Sequence, residues 1–153
     1  MRPFVLALFL LVPGAAQAQQ AQPADVQTLQ SCVQNYANGA PQSRVIGGCV
    51  GIIDGAFRNG TTLEIAEGIM REHAAWDTLL NAWWQPMKAR AQANGTWDRL
   101  LASQRQWIRD RDAECQRAYD SAGGGSIRVI YAAECQRDLT AAKAVDFFYS
   151  LYK

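Results

Sequence analysis

The chain has 153 residues, with 15 Lys and Arg against 14 Asp and Glu and a single histidine. Its near-neutral balance excludes a broad electrostatic nucleic-acid surface, and its length suits one core rather than several. Residues 1–18 read as a secretory signal: Arg2, an apolar run from Phe4 to Val12 too short to span a bilayer, and the small-residue exit Ala16-Gln17-Ala18. Cleavage after Ala18 leaves 14 basic against 14 acidic residues over 135 positions. The first cysteine is Cys32, so no lipid-attachment cysteine stands at the exit, and the mature product is expected in the periplasm or outside the cell with no membrane anchor. Residues 19–24 read as a flexible polar leader, and 25–153 as one domain made of an N-terminal hairpin (25–58) and the main helices (61–153).

Along the mature chain, Asp25 stands as an N-cap acid before Val26, Leu29, Cys32, Val33 and Tyr36, which recur at helical spacing and stop at Asn38-Gly39. From Ser43 to Phe57 the apolar positions again recur at three and four. The four glycines between Gly47 and Gly55 weaken that helix and leave a buried strand as the alternative. Thr61-Thr62-Leu63-Glu64 is a capping box, and a long helix should follow with Ile65, Ile69, Trp76, Leu80, Trp83 and Met87 on its apolar face and a kink at Pro86. Thr96 should cap the next helix, whose apolar side carries Trp97, Leu100, Leu101, Gln104, Trp107, Ile108, Cys115, Ala118 and Tyr119. After the Gly123-Gly124-Gly125 turn, Ser126 should cap a last helix with the stripe Ile127, Ile130, Tyr131, Cys135, Leu139, Ala142, Val145, Phe148 and Tyr152. The expected fold is all-α: a small bundle of about five helices arranged as antiparallel hairpins.

Four cysteines in an exported chain imply two disulfides, with three formal pairings. At about 1.5 Å per residue, Cys115 lies roughly 9 Å before the glycine turn and Cys135 roughly 12 Å after it, so the two stand nearly level on facing helices. Cys32 and Cys49 stand five and six residues from the turn at 38–42. The expected pairs are Cys32–Cys49 and Cys115–Cys135, each clipping its own hairpin.

Little in the sequence points to catalysis. The single imidazole, His73, lies beside Glu72 and four residues before Asp77, and with the cysteines assigned to disulfides no nucleophile has a base of its own. Glu64, Glu67, Glu72, Glu114 and Glu134 lie on amphipathic faces without a spacing that singles out an acid pair. No CxxC or paired-histidine spacing suggests a metal, and no cofactor motif is present; the glycine turn lacks the lysine and hydroxyl of a phosphate loop. Enzyme activity is not expected. The alternating-sign run Arg109-Asp110-Arg111-Asp112-Ala113-Glu114 is a solvated helix face or a recognition patch for a charged partner. Trp84, turned about 100° from an inward Trp83, is a second candidate protein contact; packing against the N-terminal hairpin is its alternative.

The order Trp76-Asp77, Leu80-Asn81, then Gln104-Arg105-Gln106-Trp107 through Arg111-Asp112 to Cys115, then Gly124-Gly125-Ser126, then Cys135 with Leu139-Thr140 resembles the lysozyme-inhibitor LprI N-terminal-like family over about residues 64–143. That family comprises small secreted bacterial helical domains, and it is named after a mycobacterial lipoprotein that inhibits lysozyme. The resemblance implies a periplasmic interaction protein that occludes a muramidase cleft, with Asp110, Asp112 and Glu114 as the first contacts and Arg109 and Arg111 positioning them. The alternative is an envelope module that inhibits nothing and binds another periplasmic protein or a cell-wall fragment. The chain departs from the family's namesake in lacking a lipid-attachment cysteine, in Lys143 where arginine is frequent, and in its own N-terminal pair Cys32 and Cys49.

Overall fold

The structure, a computed structural model, describes residues 21–153. The predicted signal peptide and its cleavage site lie outside the described residues. Five α-helices follow in order: α1 (Pro23–Tyr36), α2 (Gln42–Cys49), α3 (Thr62–Ala93), α4 (Trp97–Ser121) and α5 (Arg128–Tyr152), with a 3-10 turn, Asp54–Phe57, between α2 and α3. Among the described residues there is no strand, and no helix is long and apolar enough to cross a membrane. The fold is the all-α bundle expected, and both disulfides pair as expected: Cys32–Cys49 with Cα atoms 5.8 Å apart and Cys115–Cys135 with 5.3 Å.

The parallel pair α3–α5 is the backbone of the bundle, running from Ala66 beside Ala133 to Trp83 beside Phe148; α4 lies chiefly along α5, α1 on α3, and α2 against α1 and α5. Small residues make the central contact close. Ala75 on α3 and Ala141 and Ala144 on α5 are wholly buried, and around them pack Trp76, Leu29, Val33, Val45 and Val145. Trp83 tilts onto Phe148 at 5.2 Å between ring centroids. At the head of α3 the capping box forms as the sequence predicts: the Glu64 amide donates to Thr61 Oγ1 at 3.3 Å and the Thr61 amide to Glu64 Oε2 at 2.7 Å. The Thr61 amide and the Thr61 hydroxyl both donate to the Glu64 carboxylate and hold it below its usual range. Pro86 is exposed within α3 and does not end it.

Several local expectations are corrected. Helix α1 starts at Pro23, whose fixed φ and missing N–H suit a first helical turn, so residues predicted as leader are helical. Asp25 lies inside that turn and is buried, its carboxylate engaged by Arg71 rather than by the helix end. The helix predicted over 43–57 is two pieces, because Gly51 takes a φ of +83° and turns the chain between Cys49 and Asp54. Neither Thr96 nor Ser126 caps by its side chain; the Thr96 hydroxyl donates to Asn94 Oδ1 instead. On α5 the buried face runs through Ile130, Ala133, Arg137, Thr140, Ala141, Ala144, Val145, Phe147 and Phe148; Ile130, Val145 and Phe148 of the predicted stripe belong to it, while Ile127, Tyr131 and Tyr152 stand exposed. On α4 only Cys115 is buried.

Phe57 seats the turn before α3 by lying on Gly68, where an added Cβ would stand 2.5 Å from the ring and 2.7 Å from Phe57 Cβ. Helix propensity alone makes Gly68→Ala a gain of about 1 kcal/mol, whereas driving a methyl into a packed ring costs about 1–3 kcal/mol. The contact includes the stiff stem of Phe57, so the expected result is a net loss, read as a lower urea midpoint at unchanged m-value.

Candidate functional site

The residues that organise the surface begin with one buried carboxylate. Glu72 on α3 is wholly buried, and its oxygens accept the amides of Gly51 at 2.7 Å, Ile53 at 2.8 Å and Asp54 at 3.1 Å, together with the Trp76 indole N–H at 3.2 Å. Three turn amides converging on a carboxylate form a nest-like cradle, which suits a group that no water reaches. The turn makes a second attachment through Asp54, whose Oδ2 accepts Arg137 Nη1 of α5 at 2.5 Å while Arg58 stands 3.7 Å from Oδ1. Burial pushes the Asp54 carboxyl above its usual range; Glu72 adds to the shift, and Arg137 and Arg58 oppose it. Arg137 also holds Asp138 at 2.8 Å. A third tie joins α1 to α3, the bidentate pair of Arg71 with Asp25 at 2.6 and 2.9 Å.

A polar seam runs where α3, α4 and α5 meet. Arg111 lies 5.1 Å from the Trp107 ring centroid, and its Nη1 reaches Thr140 Oγ1 at 3.5 Å. Lys143 approaches Trp107 at 6.0 Å and Phe147 at 5.0 Å. Beneath them His73 is half-buried, with Nε2 unpartnered among the described residues. Burial lowers its pKa, Asp77 opposes that, and Arg111 adds to it, so His73 is neutral at pH 7.

The predicted contact residues divide. Arg109, Asp110, Asp112 and Glu114 are exposed along α4, while Arg111 turns into the seam and pairs with Asp112 at 2.8 Å. The exposed members are tied within the helix: Gln106 accepts from Arg109 and donates to Asp110, and Arg117 donates to Glu114. Asp112 pairs with Arg111, not with Arg109. Trp84 is elsewhere and half-buried, stacked on Phe147 at 5.6 Å with Trp97 at 5.8 Å, so it faces α4 and α5 rather than the N-terminal hairpin. Among the described residues no three His, Cys, Asp or Glu side chains converge as a metal site.

The sequence reading missed Glu72 and Arg137 as organising groups. Their signal is positional: Glu72 interrupts the apolar stripe between Ile69 and Trp76, and Arg137 interrupts a small-residue stripe between Ala133 and Ala141. A charge at such a position requires an inward partner.

Compared with known proteins, residues 54–146 match a family model described as lysozyme inhibitor LprI. No curated protein and no solved structure matches. The matched span begins at Asp54 and takes in Glu72, Arg137, the seam and the second disulfide; α1 and α2 precede it.

Replacing Glu72 by Gln puts an amide donor against turn amides that also donate, at an expected cost of about 2–4 kcal/mol. Amide exchange should show Gly51, Ile53 and Asp54 losing protection ahead of the core of α3. For His73 the sign follows from its lowered folded pKa: the unfolded chain takes up the proton first, so the stability it contributes is present above about pH 6.5 and lost as pH falls toward the folded value. The wild-type unfolding free energy should therefore fall between pH 7.5 and 5 more steeply than that of His73→Gln, measured by urea titration.

Proposed function

Because the chain belongs to the lysozyme inhibitor LprI family, we propose that it is an exported periplasmic protein that binds a muramidase and occludes its cleft. The match over residues 54–146 carries this reading. The exposed run on α4 supports it: Asp110 and Glu114 stand four residues apart on one face, with Asp112 on the flank, each held by a neighbour on the same helix. A muramidase cleft presents a basic rim around a pair of carboxyl groups, one acting as acid and one ionised. Acidic side chains ranged along one helix steer toward such a rim and fix the register of docking, and the bulk of the helix then excludes the glycan. Arg111 and Arg117 pair with Asp112 and Glu114 when the run is free, which restrains nonspecific attraction to other basic surfaces.

Export fits the two disulfides, which persist only where thiols are oxidised. The expected outcome is slower lysis of a Gram-positive cell-wall suspension by c-type lysozyme in the presence of the purified protein. The triple variant Asp110→Asn, Asp112→Asn, Glu114→Gln should lose about tenfold or more of that inhibition with unchanged circular dichroism. Full-speed lysis at micromolar excess removes the reading for that lysozyme type.

A further inference from the structure

The α1–α2 hairpin lies outside the family match and has a surface of its own. Two adjoining open grooves, of about 600 and 550 Å³, meet at Asn35 and Tyr36. The first follows one stripe of α1 from Ala24 through Gln27, Ser31 and Asn35, with Ile52 of the next turn as its edge. The second continues past Asn38 and Pro41 to Arg44. The lining holds no carboxylate, and Arg44 is its one charge. Gln27, Ser31, Asn35 and Asn38 are all exposed, so their amide and hydroxyl groups face the groove unscreened.

Tyr36 stands at the junction, 44% exposed, and its ring lies against Gly48 of α2: a Cβ there would come within 2.7 and 2.8 Å of two ring carbons. One side of the ring is therefore braced by backbone, close to the Cys32–Cys49 bridge, while the remainder is open. From Ala24 to Asn35 the stripe runs about 16 Å, room for a chain of several rings rather than one small molecule.

We propose that this hairpin binds a glycan chain of acetamido sugars, with Tyr36 as the stacking platform. The face of an aromatic ring carries partial negative charge and attracts the weakly positive C–H face of a pyranose, which a braced ring meets without losing side-chain freedom. Neutral amides and hydroxyls match the acetamido and hydroxyl groups in both donor and acceptor sense. A polyanion would find one cation, and a hydrophobic peptide would find only Ile52 and Tyr36 as large apolar contacts. This site is independent of muramidase binding, which the reading above places on α4.

The test is a titration of the full exported protein with the β-1,4-linked hexamer of N-acetylglucosamine, followed by calorimetry and by amide chemical-shift changes. Saturable binding is expected, with shifts concentrated at residues 27–38 and 44–52. Tyr36→Ala should weaken it about tenfold or more, and Tyr36→Phe should retain it. Gly48→Ala, which keeps the tyrosine and pushes its ring off the brace, should also weaken binding; it guards against a loss that merely reflects a missing side chain. Lysis inhibition should be the same for Tyr36→Ala and wild type, so failure of either proposal leaves the other standing. Absence of saturation at millimolar hexamer, shifts confined to α4, or equal affinity of Tyr36→Ala and wild type would overturn the inference.

Discussion

The turn between the two halves of the chain depends on a negative charge placed where water does not reach. A buried carboxylate loses its hydration, and at Glu72 three turn amides and an indole N–H stand in its place. That requirement runs in both directions. The amides of Gly51, Ile53 and Asp54 converge only when Gly51 takes a left-handed conformation, so the break after α2 and the acid on α3 are one feature seen from two elements. Asp54, brought inward by the same turn, then needs Arg137, which fixes the register of α5 against the turn. Removing any one of the three leaves an unpaired buried charge or a set of donors without an acceptor, and such losses are not independent of one another.

The parts of this arrangement differ in how far they could be read in advance. The capping box, the long central helix and both disulfides were legible because their causes are local: a hydroxyl three residues before a glutamate, a 3.6-residue rhythm, and cysteines level across short turns. The break at Gly51 was not, since four glycines in a row of apolar residues suit a weak helix, a strand or a turn, and the deciding group, Glu72, is 21 residues away. The face of α5 was legible only in part, at Ile130, Val145 and Phe148, for a related reason. Large side chains drew the stripe toward Tyr131 and Leu139, whereas the buried face is set by what lets α3 approach closely, and that is Ala133, Ala141 and Ala144. Arg137 in their midst has no local explanation; it becomes intelligible only with Asp54 opposite.

Among the candidate contact residues the local rules performed unevenly. The exposure of Arg109, Asp110, Asp112 and Glu114 follows from their place on a polar helix face, but Arg111 differs because Trp107, one turn earlier, offers its guanidinium a ring to lie on. Trp84 shows the opposite case. The 100° rotation from Trp83 does carry it off the α3 core face, yet α4 and α5 supply Trp97 and Phe147 at that angle, so turning away from one core surface brought it to another.

Helix α4 explains why the second disulfide stands where it does. Cys115 is the one buried residue of α4, and the rest of the helix meets the bundle through half-buried rings and the seam of Arg111, Thr140 and Lys143. Contacts of that kind place a helix but do not hold it firmly, because little apolar area leaves water. A covalent bond from the C-terminal third of α4 to α5 compensates by restricting how far the helix can depart. The first disulfide does the same for α2, a helix of eight residues that could not stand alone. The chain thus carries two exposed helical surfaces, the charged face of α4 and the Tyr36 hairpin, each beside a disulfide that fixes a thinly packed helix, α4 or α2, to its neighbour. Surface residues there can then be chosen for what they contact outside the bundle rather than for what they contribute to holding it together.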